Sequence, residues 1–420
     1  MKKRKRHTGL IVVLCMAAVI AVIAGIYSRF GGFGTGGCAD TGEFSKYATS
    51  VSELTVPYEA QIIALGEATH ENKEFQQLRL DVFQVLVEKY GVRAFALEGD
   101  FGGCEAINRY IHGADGTAEA LSATGFAIYR TEEMENLVEW MRNYNASATQ
   151  GDDLRFYGFD MQQRAYSYHN LLEALQKANI DTADFEKLWN SEADDYADGC
   201  TAEQRTEIIT AAKNQLPPDD VQTIHFADIL LQNIELGKYI DDSGELNAQR
   251  DQMMAENTLW ILQQEQARGN SRIMISGHNN HIMQCENAGT PVLGSLLAEE
   301  LESGYFAIGT DFYKSVCNLP KPYTGKRITH TFYSYDPLAK ASKKCGFDVS
   351  FLDFSKVPED SALTQYLANS ISMGSLGESY SVLMNFVPRS YRVQRIPQDA
   401  YDTMIFVANA TPIEIESLNK

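Results

Sequence analysis

The sequence predicts an α/β fold, a mostly parallel central sheet flanked by helices, with a helical subdomain set into it. Three observations carry that prediction. Apolar runs of strand length alternate with helical stretches, and strands separated by helices imply parallel pairing. Glutamate, histidine and aspartate gather where those strands end. Between about 165 and 270 the helical pattern is almost continuous, broken only near "QLPPDD" and "DDSGEL".

The chain opens on a basic run, residues 2–6, followed by the uncharged apolar run "GLIVVLCMAAVIAVIAGIY", residues 9–27. That is about the length a bilayer needs. Basic residues on its N-terminal side predict a cytoplasmic start. Residues 1–29 are therefore expected to form an N-terminal transmembrane helix, a signal anchor. It would hold the protein in the cell membrane by a single pass, with the catalytic domain outside the cytoplasm. A cleaved signal peptide is the rival reading; the run exceeds a usual signal core, and no small-x-small site follows at once. Residues 30–44, "FGGFGTGGCADTGEF", read as a glycine-rich linker. Residues 45–420 are long enough for one large domain with an insertion at about 165–270.

Within the domain, "QIIALG" reads as a short buried strand and 72–90 as an amphipathic helix. "RAFALE" (93–98) is the second strand, followed by helices near 102–112 and 131–146. "LRFYGFD" (154–160) is the third, "RIMISG" (272–277) the fourth and "YFAIGTDFY" the fifth, with a helix near 291–303 between the last two. The C-terminal part is mixed, with a strand at "TMIFVAN". The formal charge of −20 opposes nucleic-acid binding, which needs a basic patch. The cysteines are scattered and form no CxxC, which argues against a zinc knuckle or a thioredoxin site. No GxSxG elbow is present, so a serine nucleophile of the α/β-hydrolase kind is disfavoured.

Five strand ends carry polar clusters: Glu67 with His70, then Glu98, Asp160, His278 with His281, and Asp311. Ligand sites in open parallel sheets form outside the carboxyl ends of the strands, so one converging site is expected. Polar connections between strands and helices would account for any single cluster. They account less well for a set made of Glu, His and Asp. Helix 72–90 supplies a further sign. Phe75, Leu78, Val82, Phe83 and Leu86 make its apolar stripe, and Arg79 falls in the middle of it. A buried guanidinium cannot lose its proton and requires an anion, for which Glu67 and Glu98 are the natural partners. Arg250, with Asn257, lies likewise on the apolar face of helix 247–268. The alternative in both cases is a long stem that carries its charged tip to water. His278 and His281, three apart, are also compatible with a metal site.

Taken together, "LGEATHENKEF" followed by Arg79, then "ALE", "YGFDMQ", "RDQMMAEN" and "GHNNHI", in this order and spacing, resemble the erythromycin esterase family, which includes esterase-like relatives associated with succinoglycan biosynthesis. Two departures stand out: Glu71 occupies the place of a usual glycine, and Asn280 that of a frequent alanine. The resemblance implies a carboxylic ester hydrolase acting on a small-molecule ester by direct water attack, without an acyl-enzyme. It implies His70 as general base, Glu67 as the residue positioning water or histidine, Arg79 and Glu98 as a buried charged pair, and His278 as a second catalytic histidine. His281, Asp160, Arg250 and Glu71 are expected to support the site or bind substrate. Arg79 or His278 would carry the developing oxyanion, and His70 would titrate near its ordinary 6.5. The expected enzyme uses no metal and no cofactor. A metal-dependent hydrolase built from the same His/Glu cluster, and a non-catalytic binder of glycans or lipids, are the alternatives. Oligomeric state is open at this level.

Overall fold

The structure, a computed structural model, describes residues 13–25, 37–149, 151–322 and 324–416. Its central sheet has nine strands: β1 (Ala48–Thr49), β2 (Ile62–Glu67), β3 (Ala94–Asp100), β4 (Arg155–Asp160), β5 (Ile273–His278), β6 (Tyr305–Pro320), β7 (Arg327–Tyr333), β8 (Val349–Asp353) and β9 (Thr403–Ala410). They lie in the order β1-β8-β9-β6-β2-β5-β3-β4, and β7 pairs with the second half of β6. Pairing is parallel from β9 through β6, β2, β5 and β3 to β4. Antiparallel pairs are confined to the β1–β8–β9 edge and the β6–β7 hairpin.

The parallel strands are apolar on both faces because both faces are covered. In β2, Ile62 and Ala64 enter one core while Ile63 and Leu65 enter the other, as the alternation of a strand requires. The second core takes the helix Lys73–Tyr90 through Phe75, Leu78, Val82, Phe83 and Leu86. That helix ends on Gly91, whose φ of 67° a side chain rarely adopts. The first core takes the insertion between β4 and β5. Its main helices are Ala165–Lys177, Ala202–Lys213, Val221–Leu236 and Ser243–Ala267, with a short hairpin, Trp189–Asn190 and Asp195–Tyr196, that the sequence pattern does not announce.

Two boundaries shift from the sequence expectation. Residues 37–44, assigned there to the linker, already belong to the folded domain. Asp40 caps the helix Thr41–Tyr47, Phe44 is fully buried, and Ala39 N–H donates to the Pro337 carbonyl at 3.0 Å. Residues 30–36 lie outside the described residues. Of the apolar run 9–27, residues 13–25 are helical with mostly exposed side chains, and the others lie outside the described residues. Among the described residues no helix is long and apolar enough to cross a membrane.

Candidate active site

The site forms at the carboxyl ends of β2, β3, β4 and β5. At the end of β2 the chain must turn from strand to helix within five residues, 68–72. Asn72 stands at the N-cap position of the following helix but makes no cap bond. Its amide instead donates to the carbonyls of Val316 and Thr411 at 2.9 and 3.0 Å, and its oxygen accepts from Ser315 Oγ at 2.7 Å. The turn is thereby tied to β6 and to the segment after β9. Gly66 precedes it for a steric reason: a Cβ there would lie 2.1 Å from Asn279 Oδ1. Asn279 in turn pairs both its amide and its oxygen with the backbone of Thr310 on β6, at 2.7 and 3.2 Å.

Glu67 joins two charged partners. One carboxylate oxygen meets His70 Nδ1 at 2.6 Å, and the other accepts from Arg79 Nη2 at 2.7 Å. Arg79 is fully buried. It also donates to Gln76 Oε1 and, at 3.1 Å, to Ser276 Oγ, and its guanidinium lies 5.3 Å from the centre of the Tyr129 ring. Burial works against the charged form of His70, but the adjacent Glu67 carboxylate outweighs it and raises the imidazole to about 9. The expected value near 6.5 is thus corrected. Burial would likewise raise Glu67, yet Arg79 and His70 hold it below the ordinary carboxylate range.

A second cluster lies beside the first. Glu98 Oε1 accepts from Arg250 Nη2 at 2.8 Å, and Arg250 also reaches Asp160 Oδ2 at 2.6 Å. Glu98 Oε2 accepts the His278 backbone N–H at 2.8 Å, in a space open only because residue 277 is glycine; a Cβ there would stand 2.8 Å from that oxygen. Burial opposes the Glu98 charge, but His281, Arg250 and His70 together keep it ionised well below the usual range. His281 Nδ1 meets Asp251 Oδ1 at 2.7 Å, and its Nε2 lies 3.2 Å from Arg250 Nη1.

His278 connects the two clusters. Its ring centre is 5.0 Å from that of His70 and 6.5 Å from that of His281. Burial, then the positive charge at His70 and His281, drives its pKa down to about 3, so it is neutral. Its Nδ1 accepts the Asn280 N–H at 3.1 Å. The proton of the neutral ring must then sit on Nε2, and Nε2 is buried without a hydrogen-bond partner. A buried donor left unmet costs about 1–3 kcal/mol, and at this position it faces a site rather than a core.

The predicted residues converge with four corrections. Arg79 and Glu98 do not pair with each other: Arg79 takes Glu67, and Glu98 takes Arg250. Arg79 also cannot meet an oxyanion, because its side chain has no exposed surface, whereas those of His70 and Arg250 each keep 12%. Glu71, buried, is ion-paired with Arg327 on β7 and clamps the turn instead of presenting a free carboxylate. Asp311 makes no hydrogen bond to the histidines. Its carboxyl accepts from Phe312 and Gly374 N–H, and burial, with the neighbouring Asp336 carboxyl, pushes it well above the ordinary carboxylate range.

The sequence reading passed over Gln76, Tyr129, Asp251, Ser276 and Asn279. Ser276 was open to it, since alternate residues of a strand share a face and Ser276 is two before His278. The segment 375–378 is a further omission. Leu376 N–H donates to the Ala68 carbonyl at 2.9 Å, and Asn280 reaches Ser375 Oγ at 3.2 Å. Glu378, on this segment, adds to the negative field at His70. Among the described residues no group of three or more His, Cys, Asp or Glu side chains is arranged to hold a metal ion. Glu67 is paired with His70 and Arg79, Asp251 with His281, and Glu98 and Asp160 with Arg250.

The family model for erythromycin esterase matches residues 87–410. An erythromycin esterase type II of Escherichia coli is 25% identical over 373 residues, covering 76% of this chain and 85% of that protein. In fold, the chain is similar to a succinoglycan biosynthesis protein of known crystal structure, with a TM-score of 0.74 at 18% identity, over 90% of this chain and 98% of the other. It is also similar to a mutant of the erythromycin esterase EreC in its open conformation, with a TM-score of 0.58 at 17% identity, over 88% and 94% of the two chains. With more than half of its length matched by the family model, the chain belongs to the erythromycin esterase family.

Proposed function

We propose that the protein hydrolyses carboxylic esters, with His70 as the base that activates water and His278 as the donor that meets the oxyanion. One observation carries this reading. An imidazole oriented by a buried carboxylate at 2.6 Å stands 5.0 Å, ring to ring, from a neutral imidazole whose Nε2–H is buried and unpartnered. Glu67 holds the His70 proton on Nδ1, which leaves Nε2 of the neutral form as the basic nitrogen. Water loses a proton to His70 Nε2 as its oxygen attacks the ester carbon. The carbonyl oxygen gains charge beside His278 Nε2–H. Collapse breaks the C–O bond, and His70 returns the proton to the departing alkoxide. Arg79 keeps Glu67 ionised, and Arg250 does the same for Glu98.

The basic residues 2–6 and the apolar run that follows support a membrane anchor with the domain outside the cytoplasm; alkaline extraction of membranes from cells making the full chain tests it. For the reaction, His70→Ala is expected to abolish cleavage of a chromogenic ester while leaving the circular dichroism spectrum unchanged. Full activity in that variant would overturn the assignment.

A further inference from the structure

Beside the reaction site, the helical insertion carries an open cleft of about 620 Å³, within the roughly 300–1,000 Å³ of known ligand pockets. It borders the second cluster at two points. Gln162 lines it and donates to both oxygens of Asp160, the partner of Arg250, at 3.0 and 2.8 Å. Leu246 lines it on the same helix as Arg250, one turn earlier and so roughly 6 Å along the axis.

The charges of the wall balance once Glu235, which stands outside the lining, is counted with Lys238. Arg164 is paired with Asp195 through its Nε at 2.5 Å, and Lys238 with Glu235 at 2.5 Å; Arg205 shares the wall with Asp198. Such a wall gives no net attraction to an anion or a cation, but its fixed donors and acceptors suit hydroxyl groups, which are both. Tyr196 lies between two guanidiniums, 5.5 Å from that of Arg164 and 4.5 Å from that of Arg205. The Tyr196 hydroxyl and Arg205 Nε are buried with no partner. Ile234, Leu236 and Leu246 make an aliphatic side against which the C–H face of a ring can lie. Two unmet donors, balanced charge and an apolar side describe one kind of ligand. We propose that this cleft binds a neutral, hydroxyl-rich ring, and that on the hydrolase reading above it holds the saccharide part of the ester substrate.

The test is direct binding to the full chain, followed by calorimetry and by saturation-transfer NMR. The probes are methyl glucoside, methyl galactoside, methyl mannoside, cellobiose, maltose and lactose, with citrate and phosphate as anionic controls. At least one neutral glycoside is expected to bind, more tightly than either anion. Arg205→Gln is expected to weaken it about tenfold or more, and His70→Ala to leave it unchanged. Tyr196→Phe keeps the ring and removes only the hydroxyl; it should weaken the same glycoside about fivefold, which keeps the test valid if Arg205→Gln disturbs the hairpin. Absence of binding by every neutral glycoside, preference for an anion, or binding indifferent to both substitutions would overturn the proposal. Glycoside binding without hydrolysis of any ester would sink the hydrolase reading and leave the pocket standing. Hydrolysis without glycoside binding would do the reverse.

Discussion

Replacing Glu67 by Gln removes one negative charge from between two cations, and the consequences for each differ in their dependence on pH. The imidazole of His70 rises from 6.5 to about 9 in the folded protein, which corresponds to about 3 kcal/mol of preference for the protonated form. Because the folded value lies above the unfolded one, this stabilisation is fully present below about pH 6.5. It is lost as pH rises through about 9. Arg79 stays charged throughout, and with no anion beside its fully buried guanidinium the cost is about 3–5 kcal/mol at either pH; the bonds to Gln76 and Ser276 persist and hold it toward the lower figure. Urea unfolding of the wild type and Glu67→Gln at pH 6 and pH 10 separates the two. The variant should lose about 3 kcal/mol at pH 10 and roughly 3 kcal/mol more at pH 6. Its amide would also donate to His70 Nδ1, moving the ring proton to Nε2 and silencing the base, so kcat should fall about 10²–10⁴-fold. Equal destabilisation at both pH values, or a loss below about 1 kcal/mol at each, would refute the reasoning.

Two further predictions concern the frame of the site. Gly66→Ala would press a methyl against Asn279 and break its bonds to Thr310; it should cost about 1–3 kcal/mol in urea unfolding, and wild-type stability would show that the strand junction yields freely. Asp311 and Asp336 form a buried carboxyl pair in which burial raises both, Asp336 to about 6. The folded chain therefore keeps protons that the unfolded chain releases near pH 4, and the pair loses stability as pH rises from 4 to 6 and beyond. Asp336→Asn retains an oxygen to cap the helix and removes the second buried carboxyl, so its Tm should exceed the wild type at pH 8, by the equivalent of about 1–3 kcal/mol, with no gain at pH 4.

Much of the fold was legible because its parallel strands are short apolar runs closed by charged residues. The strands β2 to β6 and β9, and the helices between them, follow the predicted order. β7 and β8 are not evident in the sequence: β7 pairs with β6 alone and leaves most of its residues unburied, and β8, between β1 and β9, is a run of only five residues within the mixed C-terminal part. The helical wheel placed Arg79 and Arg250 correctly on buried faces, since the position of a Cα is set by periodicity. Strand-end proximity offers Glu67 and Glu98 as partners of Arg79, and Glu67 is one; it cannot divide the carboxylates between two arginines, since that depends on where a long side chain ends. Glu98, expected beside Arg79, pairs with Arg250. Asn257 illustrates the same limit: its buried face was evident, while its bonds to Phe159 and Gln232 were not. The pKa of His70 was misjudged for a related reason, as the reference value omits a carboxylate 2.6 Å away.

The proposed mechanism depends most on neutral His70, oriented by Glu67, acting as the base. The pH dependence of kcat/KM for a simple chromogenic ester tests it directly. With His70 raised to about 9, only about 1% is neutral at pH 7 and about 10% at pH 8. The rate should therefore rise about tenfold per pH unit and level off near 9. In Glu67→Gln the inflection in any residual activity should fall by about two units or more. A flat profile, or an inflection near 6.5 that Glu67→Gln leaves in place, would contradict it.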